Sequence, residues 1–144
     1  MKALLVALLA LFSGSAFGQT TGACTNSSGI LLASAARTAA TTTSPDIVNS
    51  NYAGIHLIMN TSAYTSGNFT PTIQGKDPIS GTYYSILVGA AVSATGIQII
   101  KVYPGIATAA NGAASDFMPR IWRVSVAGAS SPVATFSISY FSEC

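Results

Sequence analysis

Residues Pro119–Ala127 read PRIWRVSVA and residues Val133–Phe141 read VATFSISYF. In the first run Trp122, Val124 and Val126 fall on one side, with Arg123 and Ser125 on the other. In the second, Phe136, Ile138 and Tyr140 alternate with Thr135, Ser137 and Ser139. A period of two puts successive side chains on opposite faces of a pleated strand, so each run predicts a strand with one face in a core. Working outward, Phe69–Lys76 (FTPTIQGK) shows the same alternation, with Phe69, Ile73 and Gly75 inward and Thr70, Thr72, Gln74 and Lys76 outward. Pro71 lacks a ladder donor, which predicts an edge strand or a bulge there.

Asp77–Gly81 (DPISG) reads as a hairpin turn, with Pro and Gly presetting its dihedrals. The return strand, Thr82–Val88, is expected to bury Tyr84, Ile86 and Val88. Ile30–Ala36, Ala53–Met59 and Gln98–Tyr103 complete a set of seven strands. Thr38–Asn51 reads as a polar loop turning at Ser44-Pro45-Asp46, and the Ala-rich stretch Ile106–Met118, broken by Asn111-Gly112, as another loop. Seven alternating strands over about 100 residues, with no long helix, predict an all-β immunoglobulin-like antiparallel β-sandwich. A small β-barrel is the alternative. The Cys…Trp…Cys spacing of antibody domains is missing, so the expectation concerns architecture alone.

The chain opens differently. Lys2 precedes the unbroken apolar run Ala3–Phe12 (ALLVALLALF), and Ser13–Gly18 is a small-residue stretch. That order is the pattern of a secretory signal peptide, and the apolar run falls short of the roughly 20 residues needed to span a bilayer. The expected division is a signal peptide over 1–18, a mature N-terminal arm over 19–29 and one β domain over 30–144. Cleavage after Ala16 is the alternative to cleavage after Gly18. Export, with no membrane anchor left after cleavage, is therefore the expected route.

Charged residues make up 7% of the chain, against about 25% in ordinary soluble domains. Without Lys2 the chain keeps five basic and four acidic residues. A nearly neutral surface argues against nucleic-acid binding, which needs a basic stripe to displace counterions. The same surface favours packing against a protein partner or copies of itself, because few charges need desolvation. Cys24 and Cys144 stand at the two ends of the mature chain, and export predicts that they bridge. Closing a loop of about 100 residues stabilises by up to about 4.7 kcal/mol in the chain-entropy model. An intermolecular bridge is the second reading. Lipidation of Cys24 is the third, weakened by Thr21, Gly22 and Ala23 upstream, where a Leu would be needed.

Chemistry has few footholds. A triad needs a base beside a nucleophile and an orienting acid, yet His56 is the single histidine and no G-x-S-x-G elbow occurs. Zinc needs three or four Cys, His or carboxylate ligands, which one histidine and two terminal cysteines do not supply. Asp46, Asp77 and Asp116 each fall in a turn or loop, where a carboxylate accepts local N–H groups, and none belongs to an acidic cluster fit for calcium. No catalytic residue, metal site or cofactor is expected. Tyr84, Trp122 and Tyr140 fall on the expected core face, while Tyr83, Tyr103 and Phe141 fall opposite, where an aromatic patch would make a glycan-binding surface.

The segments FTPTIQGKDPISGTYYSIL, KVYPG and ASDFMPRIWRVSV, in this order, resemble a group of small virion-type proteins encoded by tailed bacteriophages. The likeness runs from about Ile30 to Tyr140 and rests on packing and turn motifs. It implies a head decoration or accessory structural protein, hence a non-enzymatic assembly role and a place in the virion. A secreted bacterial surface or adhesion domain, binding glycans or itself, is the alternative. A signal peptide and a disulfide depart from what phage parts assembled in the cytoplasm need. Intact-mass measurement of the exported protein is expected to show a chain beginning at Gln19; a mass that retains residues 1–18 would defeat that expectation.

Overall fold

A computed structural model of the protein describes residues 24–144, and the expected signal peptide and the first residues of the arm lie outside them. The described residues form eight strands and no helix: β1 (Ser28–Arg37), β2 (Thr41–Thr43), β3 (Ile47–Val48), β4 (Gly54–Lys76), β5 (Tyr83–Val88), β6 (Gly96–Val102), β7 (Ala113–Ala114) and β8 (Ile121–Glu143). All belong to one sheet in the order β1-β8-β4-β6-β7, with β2 and β3 also on β8 and β5 also on β4. Every pairing except that of β6 with β7 is antiparallel.

The all-β class is as expected; the strand organisation differs. Ala53–Met59 and Phe69–Lys76 are two halves of one 23-residue strand, β4, and Pro119–Ala127 and Val133–Phe141 are two halves of another, β8. These two pair along nearly their whole length, from Gly54↔Glu143 to Gly75↔Trp122. The ribbon they make cannot be straight. Trp122 and Tyr140, eighteen residues apart on β8, would lie about 60 Å apart on an extended strand. Their rings instead meet edge-on with centroids 5.4 Å apart. Phe69 on β4 and Phe136 on β8 likewise touch at 5.2 Å, although Phe69 pairs with Gly128. The ribbon therefore folds over, and its two halves face each other as the layers of a sandwich.

Alternation survives the fold. Odd residues of β4 (Ile55, Leu57, Met59, then Phe69 and Ile73) and even residues of β8 (Trp122, Val124, Val126, then Ala134, Phe136 and Ile138) are all buried. The core is the concave face of this single ribbon, supplemented by Leu31 and Leu32 of β1, Leu87 of β5, and Ile100 and Val102 of β6. At the bend, the β4–β8 register slips between Thr61 and Asn68, and Ser130, Ser131 and Pro132 bulge opposite Gly67. Gly67 (φ 74°) and Ser130 and Ser131 (φ 59° and 52°) take the left-handed conformation. A side chain at Gly67 would meet the Ala129 carbonyl at 2.5 Å and Pro132 at 2.6 Å, so only glycine lets the two strands pass there. Ser66 Oγ donates to the Ser131 carbonyl at 2.8 Å and ties the bulge to β4.

Four local expectations are corrected. Ser28 and Gly29, assigned to the arm, open β1, because Ser27 and Ser28 already pair with the last residues of β8. Pro71 sits on a central strand. Its carbonyl accepts from Gly89 N at 2.7 Å on the side where β5 has ended, so no ladder partner awaits the missing donor. In β5 the register slips between Ile73 and Gln74, placing Ile73 opposite Leu87 but Gln74 opposite Ser85. Ile86 is the extra residue, and the slip turns Leu87 inward while Val88 is exposed. Tyr84 keeps its inward parity but lies beyond the end of the core and stays 48% exposed. Thr38–Asn51 and Ile106–Met118, expected as loops, also contribute the short strands β2, β3 and β7.

Cys24 and Cys144 form a disulfide with Cα atoms 5.6 Å apart, the intramolecular reading. At the same end, Ser27 and Ser142 exchange backbone and hydroxyl hydrogen bonds. Trp122 is fully buried, and its indole N–H donates to the Tyr52 hydroxyl at 2.6 Å. Burial pushes that hydroxyl up to about 12. Trp122→Ala is expected to cost about 3–5 kcal/mol, as large truncations of packed aromatics do. Thermal or denaturant unfolding checks this; an unchanged midpoint would place Trp122 at the surface.

Candidate functional site

The outward positions of the two layers carry different chemistry. On the layer built from the second half of β4, the first half of β8 and β5, the register sets Gln74 opposite Arg123 and Lys76 opposite Tyr83. Arg123 Nε donates to Gln74 Oε1 at 2.9 Å, and its guanidinium lies 3.3 Å from the Tyr83 ring centre. Tyr83 donates its hydroxyl to Asp46 at 2.6 Å, and Lys76 pairs with the other Asp46 oxygen at 2.8 Å. The Lys76 ammonium and the Tyr83 hydroxyl hold the Asp46 carboxyl below its usual range, and Asp46 in turn raises Lys76. Alternation shows Gln74, Lys76 and Arg123 outward, but Asp46 lies in the Ser44-Pro45-Asp46 turn, which no strand period connects to them.

On the other layer the outward face groups apolar side chains among serine, histidine and lysine. The register aligns Ile30, Ser139, Ile58 and Ile99 in one cross-strand row over β1, β8, β4 and β6. The next row holds Ser28, Phe141, His56 and Lys101. Ile30, Ile97, Ile99 and Phe141 are among the most exposed large apolar side chains of the described residues. His56 stacks on Tyr103, with ring centres 5.9 Å apart and planes 18° from parallel. Tyr103 and Phe141 thus meet around His56, whereas Tyr83 lies on the opposite layer and does not join them.

Asp77 and Asp116 serve local backbone. Asp77 accepts from Ile79 N at 3.0 Å and from the Ser80 hydroxyl, which holds its carboxyl low and closes the hairpin turn. Asp116 accepts from Phe117 N at 2.7 Å. Among the described residues no three His, Cys, Asp or Glu side chains gather where they could hold a metal ion, and His56 has no hydrogen-bond partner for its side chain. What the geometry offers is surface: a sheet face with grouped exposed apolar side chains, a tied polar network opposite it, and a groove of about 550 Å³ at one end beside Tyr84.

No protein-family model matches the chain, and no curated protein sequence matches it.

Asp46 titrates below its ordinary value of 3.8 in the folded state, so its contribution to stability is present above that pH and is lost as pH falls through the lowered value. Asp46→Asn is expected to lower stability at neutral pH by less than about 1 kcal/mol, as exposed pairs do. The difference from the unmodified protein should begin to shrink near pH 3.8 and vanish only once pH has fallen through the lowered folded value. Unfolding curves across pH 2–7 check it, and a difference that persists in acid would remove the ion pair as its cause.

Proposed function

We propose that this domain is a non-enzymatic assembly module that docks through the outer face of its β1–β8–β4–β6 layer onto another protein subunit of a larger particle. The observation that carries this reading is the group of apolar side chains on that outer face, with Ile30, Ile97, Ile99 and Phe141 exposed around the half-buried Ile58, and with Lys101 and Glu143 as its formal charges. Exposed apolar side chains grouped in this way mark an interaction site, and the small number of charges keeps the desolvation cost of covering them low. The resemblance of FTPTIQGKDPISGTYYSIL, KVYPG and ASDFMPRIWRVSV to tailed-phage virion proteins supports a particle as the destination. In that reading the chain is an exported accessory or decoration subunit. The disulfide fits an oxidising compartment.

A second reading, a secreted surface domain that binds glycans, draws on the Tyr103–His56–Phe141 cluster, since aromatic faces suit the apolar face of a sugar ring. The two readings are separated by measuring the mass of the mature chain by light scattering and by locating it on particles or cell surfaces by microscopy. Assembly predicts that Ile99→Lys weakens association about 30-fold or more, as loss of a central interface contact does, without changing the melting temperature. A strictly monomeric chain that turns over an ester, peptide or glycan, and loses that turnover in His56→Ala, would overturn the assembly reading.

A further inference from the structure

The end of the sandwich that carries the β4–β5 turn holds a second surface with its own logic. There a groove of about 550 Å³ opens between the turn residues 76–78, Tyr84 and residues 119–121. Glycine at position 75 permits the placement of one of its walls. The Tyr84 ring lies across Gly75, where any side chain would collide with it and would meet Pro119 at 2.9 Å, and its other side remains bare. Pro78, Tyr84, Pro119 and Ile121 supply apolar walls. Two of the three charged residues at the rim are already engaged, Lys76 by Asp46 and Asp77 by its own turn. Arg120 is exposed and has no side-chain hydrogen bond or ion pair among the described residues.

Three residues before Arg120 stands the complementary shape. Phe117 is 72% exposed, an aromatic ring left in water, and beside it the Asp116 carboxylate accepts nothing but the adjoining Phe117 N–H. The loop that presents them is pinned. Met118 is buried, its N–H donates to the Ala53 carbonyl at 3.0 Å, and its carbonyl accepts from Asn49 Nδ2 at 3.0 Å. Phe117 is therefore held outward, and it is not among the residues that line its own chain's groove. Val48 and Ile79, 61% and 94% exposed, flank the same end through their neighbours Ile121 and Pro78.

We propose that this end is a two-fold contact between copies of the chain, in which Phe117 of one copy enters the groove beside Tyr84 of the other and Asp116 pairs with Arg120 across the interface. The occupant follows from shape and charge together. The groove needs an apolar body next to one anion, and the exposed Asp116–Phe117 pair supplies both. Because knob and groove share one end, a single two-fold axis satisfies both copies at once, the self-complementary arrangement of an isologous dimer. The pinned loop also lowers the ordering cost of docking. This contact rests on the assembly reading and adds to it a second surface, with another copy of the chain as its partner.

Light scattering of the mature chain at about 100 µM, where a micromolar contact is populated, is the experiment. The unmodified chain is expected to be dimeric. Phe117→Ala and Arg120→Asp should each weaken self-association by about 30-fold or more with unchanged melting temperature. Asp116→Arg combined with Arg120→Asp should restore the dimer, which a merely structural role for either residue would not do. Self-association that ignores all three changes but is lost in Ile99→Lys would overturn the end contact and leave the assembly reading standing. A monomeric unmodified chain would also overturn the contact and assign the groove to a different occupant. If that monomer is found on particles, assembly stands. If it has no partner and shows turnover lost in His56→Ala, both readings fall.

Discussion

The closure of the β4–β8 ribbon onto itself is the constraint on which the rest of this structure depends. A two-stranded ribbon of this length has one apolar face, and left straight it would hold that face in water. Folding brings Phe69 against Phe136 and Trp122 against Tyr140, so one continuous surface becomes both walls of the core. The bend has to keep the inward parity of both strands, because slipping either by one residue would turn every later side chain outward. The register slips of β4 and the bulge at Ser130–Pro132 achieve this, with Gly67 giving the space. The other strands extend one half of the ribbon or the other: β1 and β6 one layer, with β7 added outside β6, and β2, β3 and β5 the other. The disulfide and the Ser27–Ser142 bonds then hold the chain ends together on the first layer.

The same closure separates the protein's sparse charge into unequal faces. Asp46, Lys76 and Arg123 gather with Tyr83 on one outer face, where they neutralise and stack on one another. The opposite face receives Ile30, Ile58, Ile99 and Phe141, with Lys101 the lone formal charge in those two rows. Exposed strands are commonly protected by charge, especially lysine. A fold that commits several of its few cations to one network leaves its other surfaces less protected. That imbalance is the physical basis for reading the molecule as a component that is covered in use.

Much of the fold was legible in the residues because burial on a strand leaves a period of two. Trp122, Val124, Val126, Phe136 and Ile138 announce their positions by alternation, as do Ile55, Leu57 and Met59. The bulge in β5 was not legible. One unpaired residue at Ile86 reverses the face of all that follows, and nothing in YYSILV marks where the slip occurs. Nor did Pro71 mark an edge, because what it lacks is a donor, and whether that donor is needed depends on where the neighbouring strand stops.

The sequence by itself determined the all-β class and the inward residues of both long strands, and it put an intramolecular bridge between Cys24 and Cys144 first among three readings. These follow from local periodicity, or from there being one other cysteine to meet. The tertiary structure alone decided that four of the expected strands are halves of two, that Tyr103 and Phe141 gather around His56 while Tyr83 does not, and that the Tyr84 ring lies across Gly75 beside a groove. Each of these depends on which residues face one another across the fold. That is settled by bends and register slips involving one or a few residues, and such steps leave almost no trace in composition or period.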